Sequence, residues 1–378
     1  MAKVLERMKK TIEERGLVTD DSAVLLMVSG GSDSTALAYA AADLASQGVI
    51  GPVAILHVNH KLRGADADAD QEFVRLLADL LGFPLFCCEI NVAGLADASG
   101  ENVEAVARRE RYLAANEALA SMCRHEGRPL SAARIWTAHT QDDRVENFYM
   151  RSIVGTGPGG FRSMRYTNGP VARPCLDVSR EDLRAFVKTR AAAGREVVRD
   201  AEGNLWREDA TNAHTDRFRA FVRHEIVPRA KERNPQLLDS LCRTMNLIAD
   251  EDDMLEAQTA DVAARLVEWT ALEGGLPDYA AGCVIAPEFA AVKVPLQRRV
   301  VREVLQSILG SDARVESASV EAVCEGFGES GPASGYTNNI QGDLALSANK
   351  RGLRIEPMAA YRARRKKGAG ENGKGEGA

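Results

Sequence analysis

The chain has 378 residues, 45% of them hydrophobic, with 48 basic against 54 acidic side chains and a formal net charge of -6. That length and apolar content suit about two ordinary domains with buried cores, and the acidic balance excludes a protein that coats nucleic acid by bulk attraction, so any RNA contact must be local. No apolar run reaches the roughly 18 residues of a membrane span, the charged opening at 1–16 lacks a signal-peptide core, and the cytoplasm is the expected compartment.

From Val24 to about Gly155, short apolar runs alternate with helix-length amphipathic stretches, the pattern of a parallel sheet with crossover helices. Strands are expected at 24–28, 53–58, 84–90 and 133–138, and helices at 33–46, 68–82, 101–123 and 141–153. The fold class is therefore α/β, a doubly wound parallel sheet. A glycine-rich stretch at 155–164 closes this block, and a further helix starts near a Ser179 cap. Past Asn234-Pro235 the texture changes to long helical stretches, so the expected division is a catalytic domain at 1–233, a smaller, mainly helical domain at 234–357 and a disordered tail at 358–378. The seven cysteines form neither a disulfide framework nor a C-x-x-C metal pair and are expected to be reduced structural thiols.

Directly after the first strand stands Ser29-Gly30-Gly31-Ser32-Asp33-Ser34, opening a helix. Small residues let backbone wrap an anion, and the free N–H groups and dipole of a helix start favour negative charge there. A phosphate site is the natural reading; the alternative is an ordinary Gly-Ser turn. Neither the Walker A pattern nor G-x-G-x-x-G fits.

The second strand ends in His57-Val58-Asn59-His60-Lys61-Leu62-Arg63-Gly64, at the carboxyl edge where ligands of open α/β folds bind. Taken alone it is also a polar, solvated loop. In the next segment Glu104, Arg108 and Arg111 fall on one helix face, and a salt-bridged surface helix explains that spacing equally well. After the fourth strand, His139, Asp143 and Glu146 share a face beside Asp142, although acids in a first helical turn are also plain dipole partners. Three successive loops on one edge make coincidence harder to sustain.

Taken in order over residues 20–230, these segments resemble the tRNA(Ile)-lysidine synthetase family of PP-loop ATP pyrophosphatases. Arg173-Pro174-Cys175-Leu176, the Trp206–Asn212 segment and the run from Arg219 to Pro228 continue the match. Asn147, Cys175 and Ala220 depart from the family's usual Thr, Leu and Asn, and none lies in the phosphate loop or the acidic pair.

The resemblance implies ATP as co-substrate, magnesium near Asp33, and as partners free lysine and an isoleucine tRNA with a CAU anticodon. It implies that the backbone of Gly30 and Gly31 and the hydroxyls of Ser29, Ser32 and Ser34 cradle pyrophosphate, with His57, Asn59 and His60 alongside the nucleotide. Asp33 would stand near the reacting phosphorus, Arg108 would pair with the cytidine, and Asp143 and Glu146 would hold lysine, with Asp142 as substitute. Arg63, Arg111, His139, Asp209 and Asn212 are further candidates toward the tRNA. Arg207, Arg217, Arg219 and Arg223 would steer RNA phosphates, or form a solvated helix face. Rival readings are a tRNA thiolase, which calls for reactive cysteine chemistry; an amidotransferase, which calls for a glutaminase domain; and a non-catalytic nucleotide- or RNA-binding module.

Overall fold

The computed structural model describes residues 1–208, 217–310, 313–328 and 331–372. The chain divides into two compact units, Met1–Ala249 and Asp250–Ala378.

The first unit opens with α1 (Ala2–Glu14) and β1 (Val24–Met27), followed by α2 (Ser32–Ser46), β2 (Val53–Asn59), α3 (Ala65–Leu81) and β3 (Leu85–Glu89). Next come α4 (Val92–Ser99), α5 (Val103–Glu126), β4 (Arg134–Trp136), α6 (Gln141–Val154), the two-residue strands β5 (Thr167–Asn168) and β6 (Val171–Ala172), and α7 (Arg180–Ala192). The sheet order is β3-β2-β1-β4-β6-β5, parallel throughout except for the β5–β6 pair. Alternation along β1 and β2 builds both faces. Val24, Leu26, Val53 and Ile55 pack into the core beneath α1, α2, α3 and α7, while Leu25, Ala54 and Leu56 point the other way onto Ala115, Leu119 and Met122 of α5. The strand order reverses between β1 and β4, so a crevice opens at their carboxyl ends.

The helices begin and end where local chemistry directs. Asn102 caps α5 by accepting from the Glu104 N–H at 2.8 Å, Ser179 caps α7 by accepting from the Asp182 N–H at 3.0 Å, and glycines in left-handed conformation close α3, α4 and α5.

The unit continues with α8 (Arg217–Phe221), a π-helical turn at Val222–Ile226, α9 (Val227–Arg233) and α10 (Leu237–Leu266), within which the division falls. The expected boundary at Asn234 is too early. Leu237, Cys242 and Met245 of α10 bury themselves with Val145, Val222 and Val227, which ties the start of α10 to α6 and α9.

In the second unit β7 (Val267–Trp269), β8 (Cys283–Ile285), α11 (Val294–Leu309) and α12 (Ser317–Glu325) precede the short pair β9 (Phe327–Gly328) and β10 (Gly331–Pro332). Then follow β11 (Thr337–Ile340), β12 (Leu344–Asn349), β13 (Gly352–Pro357) and α13 (Met358–Asn372). The helices match the expectation, and beside them runs a five-stranded antiparallel sheet, β11-β12-β13-β8-β7, that the periodicity does not reveal. Val300, Val304 and Leu305 of α11 and Val320 and Val323 of α12 pack onto its Leu344, Leu346, Leu353 and Ile355. Helix α13 corrects the expectation of disorder from residue 358. Met358 is buried, and Arg364 bonds to Glu356 at 3.0 Å and to Ser347 at 3.1 Å, anchoring a run of good helix formers onto the sheet. Among the described residues no helix is long and apolar enough to cross a membrane.

Candidate functional site

The loop after β1 closes on itself through its hydroxyls. Ser34 Oγ accepts from the Ser29 N–H at 3.2 Å, lies 3.2 Å from Ser29 Oγ and donates to the Gly31 carbonyl at 3.1 Å, while Thr35 donates to the Gly30 carbonyl at 3.1 Å. Gly30 has φ +91°, a conformation costly for any residue with a Cβ. Gly31 is the N-cap of α2, so the first N–H groups of a fifteen-residue helix open beside the loop.

Residues expected at the nucleotide and RNA make contacts within the protein that support this loop and the turn after β2. His57, buried, contacts the Val28 carbonyl through Nδ1 at 2.9 Å. Asn59 donates to Asp68 at 3.1 Å and Gln71 at 3.0 Å and accepts from the Lys61 N–H at 2.9 Å, which shapes the turn after β2. Arg207 donates its backbone N–H to the Gly30 carbonyl at 3.0 Å and its Nε to Asp70 at 2.9 Å, and Arg63 takes the other Asp70 oxygen at 2.7 Å. Two arginines read as RNA-facing thus share one buried carboxylate behind the phosphate loop.

Helix α6 brings the acids. Thr140 and Asp143 form a reciprocal capping box: Asp143 Oδ2 accepts from the Thr140 N–H at 2.8 Å and its hydroxyl at 2.9 Å, and the Asp143 N–H reaches back to Thr140 Oγ1. That leaves Asp143 Oδ1 facing the crevice. Glu146, one turn on and only 2% exposed, is gripped through both oxygens by Arg223, at 2.7 and 2.9 Å, with Arg219 3.7 Å away. Arg223 sits in the π-helical turn, so both it and Arg219 are engaged with a buried acid rather than spread on a solvated face.

At the centre stands a residue that sequence reasoning missed. Arg180, first residue of α7, sends Nε to Asp33 at 3.0 Å, one terminal nitrogen to Asp143 at 3.1 Å and the other toward Glu146 at 3.5 Å, while its backbone N–H donates to Asp142 at 2.8 Å. A signal was available: a cation in the first turn opposes the helix dipole and calls for acids nearby. Lys231 also reaches Asp142, at 3.3 Å.

The electrostatics follow from burial against pairing. Burial raises the Asp33 carboxyl above its ordinary value, with Arg180 resisting and Asp143 adding to the rise. Burial pushes Asp143 the same way, but Arg180, His139 and the two Thr140 hydrogen bonds overcome it and hold the group low. Burial works against the charged form of Arg180, yet Asp143, Asp33 and Glu146 more than compensate and raise its pKa. His139, bonded to Thr137 at 2.8 Å, is pushed down to about 4 by burial, with Arg173, Arg219 and Arg108 helping and Asp143 opposing. Burial, Arg111 and His57 likewise bring His60 down to about 4.

Asp33, Asp142, Asp143, Glu146, His139, Arg219 and Arg223 therefore gather at the β1 and β4 carboxyl ends. Arg108 is exposed on α5 against the Tyr112 ring, within electrostatic reach of His139, and Arg111 lies 3.4 Å from His60. Asp209 and Asn212 lie outside the described residues, as does the Arg217 side chain.

An open α/β domain with a Ser/Gly anion loop at its first strand and paired acids across the switch point defines the class. The chain belongs to the PP-loop domain family, whose match covers residues 1–230. It is 35% identical over 306 residues to the tRNA(Ile)-lysidine synthase of Thermus thermophilus, covering 79% of this chain and 52% of that protein. To the enzyme of that name in Geobacter sulfurreducens it is 30% identical over 322 residues, 85% of this chain and 62% of the relative. In Chlorobaculum tepidum the figures are 29% over 257 residues, 68% and 71%. The chain thus spans about half of the first relative and under two thirds of the second.

Proposed function

We propose that this protein ligates lysine to the 2-position of the wobble cytidine in an isoleucine tRNA with a CAU anticodon, using ATP and working in the cytoplasm. The observation that carries the reading is the meeting of Asp33, Asp143 and Glu146 at one sheet edge beside a closed Ser/Gly loop, and the likeness to relatives named tRNA(Ile)-lysidine synthase supports it.

In the first step the 2-carbonyl oxygen of the base attacks the α-phosphorus of ATP, and pyrophosphate leaves into the cradle of Ser29, Gly30, Gly31, Ser32 and Ser34. In the second the side-chain amine of lysine attacks C2 and AMP leaves with the oxygen. Free lysine, with a pKa of about 10.4, is almost wholly protonated at neutral pH, which costs the nucleophile roughly 4 to 5 kcal/mol. Asp143, held ionised, suits the task of seating that ammonium, and buried Glu146 one turn on is the candidate to take its proton. Alignment of bound reactants supplies about 7 to 11 kcal/mol more in favourable cases, and in this reading Arg108 and Arg111 meet the RNA.

Magnesium fits through oxygen donors. Among the described residues no cluster holds a metal alone, but the Asp33 carboxylate, 3.0 Å from the Ser32 hydroxyl, is the single acid that such an ion commonly combines with substrate phosphates. Bound there it would offset the charge of the phosphates.

The test uses the protein, ATP, radiolabelled lysine and an isoleucine tRNA transcript. Label enters the RNA with one AMP released per lysine. Asp143→Asn and Glu146→Gln raise the lysine KM or slow the second step while pyrophosphate release continues. Absence of label in the wild-type reaction removes the reading.

A further inference from the structure

Asp143 and Glu146 have few uncommitted oxygens to offer a cationic amine in this structure. Asp143 Oδ2 belongs to the capping box, its Oδ1 faces Arg180 at 3.1 Å, and both Glu146 oxygens are held by Arg223. The same Arg180 guanidinium reaches Asp33 beside the phosphate loop at 3.0 Å.

Resting on the reading above, we infer that Arg180 is a positioning residue that couples the nucleotide end of the site to the lysine end. As it stands in this arrangement, its guanidinium occupies the anionic seat that the lysine ammonium needs. A triphosphate seated on the loop draws it toward the Asp33 side and leaves Asp143 open. The direction follows from chemistry: phosphate oxygens are strong acceptors for a planar five-donor fork, and Arg180 touches three different carboxylates through single contacts rather than gripping one bidentately. A coupling of this kind is reciprocal, so lysine would also favour nucleotide binding.

Equilibrium dialysis of radiolabelled lysine against the full chain, without tRNA and with or without a non-hydrolysable ATP analogue, tests this. In the wild type the analogue lowers the lysine Kd by about fivefold or more, the ordinary scale of coupled sites. Arg180→Gln binds lysine tightly in both conditions, with a ratio near one. Arg180→Lys, which keeps a cation but loses the fork, restores part of the ratio and serves where the Gln variant does not fold. A wild type indifferent to the analogue, or an Arg180→Gln ratio equal to wild type, overturns the inference and leaves lysine recognition standing. Failure of the nucleotide-loaded wild type to bind lysine at all removes both.

Discussion

Two acids that share one guanidinium end with opposite shifts. Asp33 is raised because burial outweighs Arg180, whereas Asp143 is lowered because His139 and Thr140 join the arginine. Asp33→Asn keeps the shape but loses the charge beside the loop, so AMP formation should fall about a hundredfold or more with an unchanged circular dichroism spectrum; activity within a few-fold of wild type would end the assignment.

His139 offers a pH test. Its folded pKa is about 4 against about 6.5 in an unfolded chain. As pH falls from about 6.5 toward 4 the unfolded state takes up a proton that the native state refuses, so stability drops across that window. Asp143, depressed when folded, loses its contribution only at lower pH, as it is protonated. Urea midpoints at pH 7 and pH 5 should therefore diverge less in His139→Gln than in wild type, since His57 and His60 titrate in both. At this scale sequence pattern located the acids but not their partners. Arg180 meets Asp33 across 147 residues of chain, a pairing that no local spacing encodes.

Among the elements, β1, β2, α2 and α6 were legible because continuous apolar strands and cap residues are local signals. The short strands β5 to β8, of two or three residues and without the longer apolar run that flanks β4, show no period and surfaced only through pairing. In the α8–α9 segment the ion pairs were hidden for a related reason: Arg219 and Arg223 read as phosphate-steering or solvated arginines, and the buried acid they meet comes from α6. Arg223→Ala leaves Glu146, 2% exposed, with only its longer contacts to Arg180 and Arg219, so it should destabilise the first unit by about 1 to 3 kcal/mol, read from the denaturant midpoint. A cost under about 1 kcal/mol would mean the pair adds no more than a surface ion pair.

For the whole molecule, two units with separate hydrophobic clusters need not unfold together. Trp136 and Trp206 report on the first and Trp269 on the second. In variants that keep only one set of tryptophans, the two fluorescence transitions should have different urea midpoints, and Arg223→Ala should shift only the first. Coincident midpoints that move together would show one cooperative body. The boundary itself was misread because an Asn-Pro break looks like a linker, while the apolar stripe opening α10 belongs to the core of α6 and α9.

The reversal of strand order carries a consequence for biosynthesis. Val24 of β1 pairs with Val53 on one side and with Arg134 on the other. A ribosome adding about 5 to 20 residues per second needs roughly 4 to 16 seconds to travel from the first partner strand to the last. During that interval the central strand has one bare edge, and the phosphate loop hangs from a half-built sheet. Arg180 and Arg223 are synthesised later still, so Asp33 spends its first seconds without the guanidinium it holds when folded. Until residue 134 is made, the edge of β1 that later pairs with β4 stays open to mispairing beside the phosphate loop.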